Sequence, residues 1–88
     1  MKLLWSERVW AHYLYWQGAD VATLVRINEL LRDIMRQPFT GLGKPEPLKG
    51  DLKGYWSRRI TGEHRLVYRV EGSGEAQCVM VAMCRYHY

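Results

Sequence analysis

The chain has 88 residues, of which 48% are hydrophobic and 25% are charged, and its formal net charge is +4. This length fits one domain, residues 1–88, and the composition excludes an intrinsically disordered chain. No apolar run is long enough to cross a membrane, and charges at positions 7 and 8 exclude a signal peptide. We therefore expect one folded domain that works in the cytoplasm without a membrane partner.

The first residues predict a short strand and a helix. Residues 2–5 are expected to form the strand, and Ser6 followed by Glu7 is typical of a helix N-cap with an acid in the first turn. The helix should end at Gly18, and its apolar residues recur at helical spacing. The stripe expected to face the core comprises Val9, Trp10, Tyr13, Leu14 and Gln17.

A second helix should pack against the first as a hairpin. Asp20 can cap it, and the helical spacing continues to about Arg36, before Pro38. Residues 38–54 contain all three prolines and are predicted to be a long loop, a feature that is often functional. The buried side of the second helix should comprise Leu24, Ile27, Leu31 and Ile34.

From Tyr55 onward apolar residues occur at every second position, which predicts two strands joined by a turn. A turn with an odd number of residues, such as 62–64, places Thr61 opposite Arg65 and puts Arg59 on the same open face as Arg65. A turn with an even number of residues would place Arg65 beside Ile60 on the core face, and burying an unpaired cation has a large cost in free energy. The core face should therefore comprise Trp56, Ile60, Leu66, Tyr68 and Val70.

The last strand is predicted from the run CVMVAMC, which is apolar on both faces and should lie inside the sheet. Cys78 and Cys84 would be about 20 Å apart along it, so they cannot form a disulfide with each other. Arg58 falls on the core face near an edge, where it should pair with an acid from a helix or reach solvent. The order of elements, strand–helix–helix–strand–strand–strand, predicts a small α+β domain with two helices on one face of a largely antiparallel sheet.

The positive charge is concentrated in one third of the chain. Residues 44–69 contain seven basic residues and three acidic ones, whereas the six other basic residues are matched by six acids. Such a cluster is typical of a surface that meets phosphate groups. A solvated basic surface without a partner is the alternative interpretation.

Few kinds of chemistry fit these residues. His12, His64 and His87 lie far apart in sequence and no His or Cys pair has a ligand spacing, so we expect no metal and no cofactor. Cleavage of RNA through its own 2′-hydroxyl group needs only a base, cations and an acid. A carboxylate such as Glu46, the basic cluster and His87 could fill these roles.

Glu46 lies between two prolines in the segment KPEPLK. Pro47 disfavours a helical backbone at Glu46, and Pro45 stiffens the approach to it. The carboxylate should therefore be held more rigidly than is usual in a loop, with Lys44 and Lys49 beside it. A stiff connector with an exposed acid is the alternative interpretation of this segment.

Three segments together resemble a known family. They are LLWSERVWAHYLYWQ at the start, GKPEPLKGDLKGYWSRRITGEHRLVYRV in the basic third, and CRYHY at the end. They closely resemble the YoeB-type toxins of bacterial toxin–antitoxin modules, within the RelE-like superfamily, and the resemblance covers essentially the whole chain. It implies a ribosome-dependent endonuclease that cuts mRNA in the ribosomal A site by metal-independent 2′-hydroxyl attack.

The resemblance also implies roles for individual residues. Glu46 would be the general base, and His87 the general acid. Arg65 and Lys49 would stabilise the phosphate in the transition state, while Tyr88 would orient the RNA or stack on a base. A catalytic C-terminus would explain why the chain ends on RYHY, because a longer tail would cover the substrate.

The remaining basic residues and the partners complete this prediction. Arg59 would assist at the phosphate, and Lys44 and Lys53 belong to the basic cluster that we expect to bind substrate. The resemblance implies a homodimer and an antitoxin of the YefM type, whose C-terminal segment folds on binding. It further implies autorepression through operator DNA bound by the toxin–antitoxin complex.

Two other functions stay open at this point. A ParE-like toxin shares the fold but inhibits DNA gyrase and lacks the set of Glu, Arg and His residues. A non-catalytic basic module would bind nucleic acid by charge and stacking. In that case His87 would be a surface residue, and Tyr86 and Tyr88 would only cover the core.

Overall fold

Five strands and two helices follow one another in the computed structural model, which describes residues 1–86. In chain order the elements are β1 (Lys2–Trp5), α1 (Glu7–Ala19), α2 (Val21–Arg36), β2 (Glu46–Pro47), β3 (Trp56–Arg59), β4 (Arg65–Glu71) and β5 (Cys78–Met83). The β2–β3 and β4–β5 connections contain short 3-10 turns at Gly50–Leu52 and Gly74–Ala76. Within residues 1–86, neither helix is long and apolar enough to span a membrane.

Both helices begin where the sequence predicts. The Ser6 hydroxyl accepts a hydrogen bond from the Val9 amide, and the Asp20 carboxylate accepts from the amides of Ala22 and Thr23. Hydrogen bonds from the Thr23 hydroxyl and then its amide lower the pKa of Asp20. α2 extends to Arg36. The buried residues of the predicted side are Ile27, Leu31 and Ile34, with Leu24 half-buried and with Leu30 and Thr23 as further buried residues.

The predicted stripe on α1 is wrong in part. Val9 and Trp16 are buried, whereas Trp10 and Leu14 are 43% and 45% exposed. Trp10 instead stacks on Tyr13 at 5.3 Å between ring centroids, near the outer edge of the core. The helix also continues one residue beyond Gly18. Apolar spacing on a short helix allowed two overlapping faces, and contacts with α2 and the sheet select between them.

The sheet has the strand order β1-β5-β4-β3-β2. β1 runs parallel to β5, and the other three pairings are antiparallel, so the predicted largely antiparallel α+β fold is confirmed. β2 lies within residues 38–54, so the prediction that this whole segment is a loop is wrong at Glu46–Pro47. A proline is tolerated here since β2 is an edge strand.

The helices cover one face of the sheet, and the core lies between them. Tyr68, Leu66 and Val79 are fully buried on that face, and Trp56 is partly buried against the same cluster. The opposite face, which we call the open face, includes Arg59 and Arg65. Their shared face confirms the parity predicted for the β3–β4 hairpin.

The register of that hairpin differs from the prediction by two residues. Arg59, rather than Thr61, lies opposite Arg65. The hydroxyl of Thr61 accepts hydrogen bonds from the amides of Glu63 and His64, so it belongs to the turn instead of the strand. A shift of two residues preserves the faces, which is why the parity argument holds despite the wrong pair.

Arg58 is fully buried on the core face and pairs with an acid from a helix, as predicted. Its Nη1 lies 2.5 Å from the Asp33 carboxylate of α2, and its Nε donates to the Tyr68 hydroxyl at 3.1 Å. The guanidinium also donates to three backbone carbonyls of the segment after α2, those of Gln37, Thr40 and Leu42. Arg58 therefore holds the segment 37–42 against the sheet.

Gly43 continues this connection to the edge of the sheet. Its carbonyl accepts a hydrogen bond from the Arg59 amide at 2.7 Å. A Cβ on Gly43 would lie 2.8 Å from the side chain of Leu30, and the backbone has a φ of +78°. Glycine is therefore required where the chain passes from the Arg58 network to β2.

Acid should weaken the fold through Asp33. Hydrogen bonds from the Leu42 amide, and then from Arg58 and Gln37, lower the pKa of Asp33 from 3.8 to about 2. Because the folded state has the lower pKa, this stabilisation is complete above pH 3.8 and is lost as the pH falls towards 2. Urea unfolding between pH 5 and 2 should show a shallower loss of stability in Asp33→Asn than in the wild type. An identical slope in the two proteins would contradict the assignment.

Candidate active site

Three of the predicted site residues lie on the open face of three neighbouring strands. Glu46 in β2 is opposite Ser57 in β3, and Arg59 lies two residues further along β3 on the same face. Arg65 in β4 is directly opposite Arg59. Neighbouring strands are about 4.8 Å apart, so the backbone of Glu46 is roughly 10 Å from that of β4. Their long side chains can therefore approach one phosphate group from two sides.

Arg65 is partly fixed by the hairpin turn. Its Nη1 donates to the carbonyls of Thr61 and His64 at 2.8 and 3.1 Å, with a longer contact to Gly62. The residue is half-buried, whereas Arg59 is exposed. A guanidinium anchored through one nitrogen keeps its orientation while its other donors stay available to a phosphate.

The three lysines of the prediction are exposed and lie at two ends of β2. Lys44 precedes β2 on the Arg59 side and has a φ of +53°. Lys49 and Lys53 flank the 3-10 turn in the β2–β3 connection, at the end away from Arg59. The structure therefore does not place Lys49 beside Arg65.

The end of the described chain lies against the same hairpin. The Tyr86 carbonyl accepts a hydrogen bond from the Arg65 amide at 2.8 Å, and the Cys84 carbonyl accepts one from the Trp16 indole at 2.8 Å. The Arg85 guanidinium lies 3.6 Å from the centre of the Tyr15 ring. The remaining predicted site residues, His87 and Tyr88, fall outside the described residues.

Neither cysteine has the setting of a nucleophile. Cys84 is buried, and burial raises the pKa of its thiol to about 12. Cys78 is half-buried, and both thiols are free. Among residues 1–86 there is also no group of three or more His, Cys, Asp or Glu side chains that could hold a metal ion.

Sequence reasoning missed one residue near this site. His64 immediately precedes Arg65, and its Nδ1 accepts a hydrogen bond from the Tyr86 amide at 2.7 Å. The segments of His64 and Tyr86 are 22 residues apart, so no local pattern predicts the contact. The only available signal was the position of His64 next to a candidate catalytic arginine.

The fold and the basic open face define a small RelE-like toxin domain. The chain belongs to the YoeB-like toxins of bacterial type II toxin–antitoxin systems, whose family model matches residues 5–88. It is 57% identical to Toxin YoeB of Escherichia coli K12 over the full length of both chains. It is 49% identical to Toxin YoeB of Synechocystis over all of this chain and 98% of the relative.

Solved structures agree with this assignment. The YoeB/ParE toxin from Agrobacterium tumefaciens is 58% identical, with a TM-score of 0.97 over the whole of both chains. The YoeB dimer from Staphylococcus aureus is 43% identical, with a TM-score of 0.87 over this whole chain and 98% of the other. YafQ from E. coli is 17% identical with a TM-score of 0.69, which shows the shared fold alone.

Proposed function

We propose that the protein is a toxin that cleaves mRNA in the ribosomal A site. The observation that supports this most directly is the shared position of Glu46, Arg59 and Arg65 on the open face. In addition, the carbonyl of Tyr86, the residue before His87, accepts a hydrogen bond from the Arg65 amide. A carboxylate and two guanidinium groups on one face of the sheet match the needs of 2′-hydroxyl attack.

In the proposed reaction Glu46 removes the proton from the 2′-hydroxyl, and the 2′-oxygen forms a bond to phosphorus. Arg65 and Arg59 stabilise the charge that develops on the phosphoryl oxygens, with Lys49 as a further cation. The bond from phosphorus to the 5′-oxygen breaks, and His87 supplies the proton to that leaving group. The products are a 2′,3′-cyclic phosphate and a 5′-hydroxyl end.

Substrate contacts and cellular location belong to the same proposal. Lys44 and Lys53 would contact the RNA backbone, because both are exposed on either side of β2. Tyr88 would orient the RNA or stack on a base. The protein would act on ribosomes in the cytoplasm, without a metal or another cofactor.

The proposal includes protein partners. A S. aureus relative was solved as a YoeB dimer and also as a heterotetrameric YoeB-YefM toxin-antitoxin complex. We infer a homodimer for this chain and a YefM-like antitoxin whose C-terminal segment folds onto it. The toxin–antitoxin complex would bind operator DNA.

The chemistry of the cut ends tests the proposed reaction. In a reconstituted translation reaction, wild-type protein should produce mRNA ends at A-site codons that carry a 2′,3′-cyclic phosphate or 3′-phosphate. A message with a single 2′-deoxy nucleotide at the mapped position should not be cut there, because the nucleophile is missing. An otherwise identical message without the substitution is the control. Primer extension on the 3′ fragment maps the position of the cut, and mass spectrometry of the 5′ fragment identifies the phosphate at its 3′ end.

The alternatives predict different outcomes in parallel assays. Inhibition of DNA gyrase supercoiling without mRNA cuts would identify a ParE-like toxin. Repression of translation with intact mRNA would identify a non-catalytic nucleic-acid-binding module. Cutting of the 2′-deoxy message at the same position would rule out 2′-hydroxyl attack.

A further inference from the structure

Tyr86, the last described residue, has an unusual backbone held by two hydrogen bonds. Its φ is +68°, a left-handed conformation that is unfavourable for a residue with a side chain. Its carbonyl accepts from the Arg65 amide at 2.8 Å, and its amide donates to His64 Nδ1 at 2.7 Å. Two consecutive residues, His64 in the turn and Arg65 at the start of β4, thus satisfy both backbone polar groups of Tyr86. Such strain persists only where the surroundings impose it.

The imidazole of His64 is itself held in place. Its ring packs edge-on against Trp16 at 4.8 Å between centroids, and Trp16 donates its indole N–H to the Cys84 carbonyl. The His64 amide donates to the Thr61 hydroxyl, and its carbonyl accepts from the amides of Ile60 and Thr61. The acceptor that faces Tyr86 is therefore fixed by α1 on one side and by the hairpin turn on the other.

We propose that His64 is a positioning residue for the nuclease reaction. This inference rests on the proposed function, in which His87 is the general acid. The hydrogen bond to His64 would fix the backbone of Tyr86, the residue immediately before His87. His64 itself does not touch the reacting atoms. A small misplacement of a catalytic group can cost about 10²-fold in rate. Loss of the contact that fixes the Tyr86 backbone should therefore lower the cleavage rate measurably.

Two substitutions separate the acceptor from the rest of the imidazole. Asparagine places its side-chain oxygen where Nδ1 lies in histidine, whereas glutamine places its oxygen nearer the position of Nε2. His64→Asn should keep the hydrogen bond to Tyr86, and His64→Gln should lose it. We expect His64→Gln to lower the single-turnover rate of A-site cleavage by about 10- to 10²-fold with little change in KM. His64→Asn should restore most of that rate.

His12 provides the matched control. It is also half-buried and contacts the Tyr86 ring edge-on at 6.3 Å between centroids, but the hydrogen bond to the Tyr86 amide comes from His64. His12→Asn should therefore leave the cleavage rate close to that of the wild type. Thermal unfolding of all variants identifies any change due to lost stability. Equal rates for His64→Gln and His64→Asn would overturn the proposal.

An NMR measurement tests the hydrogen bond without any assay of activity. With 15N-labelled protein, a scalar coupling across the hydrogen bond should connect the Tyr86 amide nitrogen to His64 Nδ1. Absence of this coupling would overturn the proposal. If the coupling is present but the wild type cuts no mRNA, the nuclease function fails and His64 keeps only a structural role. If the coupling is present, the wild type cuts mRNA and His64→Gln cuts at the wild-type rate, the positioning role alone is overturned.

Discussion

Glu46→Gln should lower the rate of A-site mRNA cleavage by about 10²- to 10⁴-fold, the usual contribution of a positioned general base. Glutamine preserves the size of the side chain but cannot remove the 2′-hydroxyl proton. The β2–β3 pairing should survive, because it uses the backbone at position 46 and the side chain is exposed. The KM for programmed ribosomes should therefore change much less than kcat.

Asp51→Asn is the matched control for this experiment. Asp51 lies five positions along the chain, is exposed in the 3-10 turn after β2, and loses the same charge on substitution. Its cleavage rate should match that of the wild type. A comparable loss in both variants would mean that the loss of a negative charge near β2, and not the loss of a base at position 46, lowers the rate.

The general acid gives a second test of the same mechanism. His87→Gln should cost on the order of 10²-fold or more in rate. If Glu46 and His87 act in one step, the double variant should be only slightly slower than the slower single variant, because effects within one catalytic unit are strongly non-additive. Fully multiplicative losses would argue against a concerted base and acid.

Arg58→Met should have the largest effect on stability. The substitution leaves the Asp33 carboxylate partly unpaired and removes donors to three carbonyls and to the Tyr68 hydroxyl. Breaking a buried ion pair in this way costs about 3–5 kcal/mol. Natural domains have only about 5–15 kcal/mol of stability, so much of it would be lost. Urea unfolding monitored by circular dichroism at pH 7 measures the change.

Arg59→Met tests whether burial, and not the loss of a positive charge, causes that effect. Arg59 is the next residue in β3 but its side chain is exposed. Its substitution should change the free energy of unfolding by no more than about 0.5 kcal/mol. If Arg58→Met were as mild, the buried network would not stabilise the fold.

The combined variant Arg58→Met with Asp33→Asn isolates the pair itself. Because the two side chains contact each other, their separate losses should not add, and coupling of about 0.5–3 kcal/mol is expected. Additive losses would show that Arg58 acts mainly through the carbonyls of segment 37–42. Both results bear on the candidate active site, because the segment 37–42 continues through Gly43 to β2, which contains Glu46.

Local rules in the sequence determined much of this protein. The caps at Ser6 and Asp20, the buried side of α2 and the shared face of Arg59 and Arg65 all follow from spacing of a few residues. The burial cost of an unpaired cation also sufficed to predict that Arg58 would pair with an acid from a helix or reach solvent. Each of these predictions rests on residue spacing or chemistry within one element or one turn, whereas the choice of Asp33 in α2 as the partner of Arg58 came from the tertiary structure.

Only the tertiary structure decided the rest. Which face of α1 is buried depends on α2 and the sheet, since Trp10 and Trp16 have similar local patterns but opposite burial. β2 exists because β3 offers an edge to pair with, although its own residues have little strand propensity. The hydrogen bond from Tyr86 to His64 joins segments that meet only when β5 has paired with β4. Such contacts arise from chain topology, and no short pattern in the sequence encodes them.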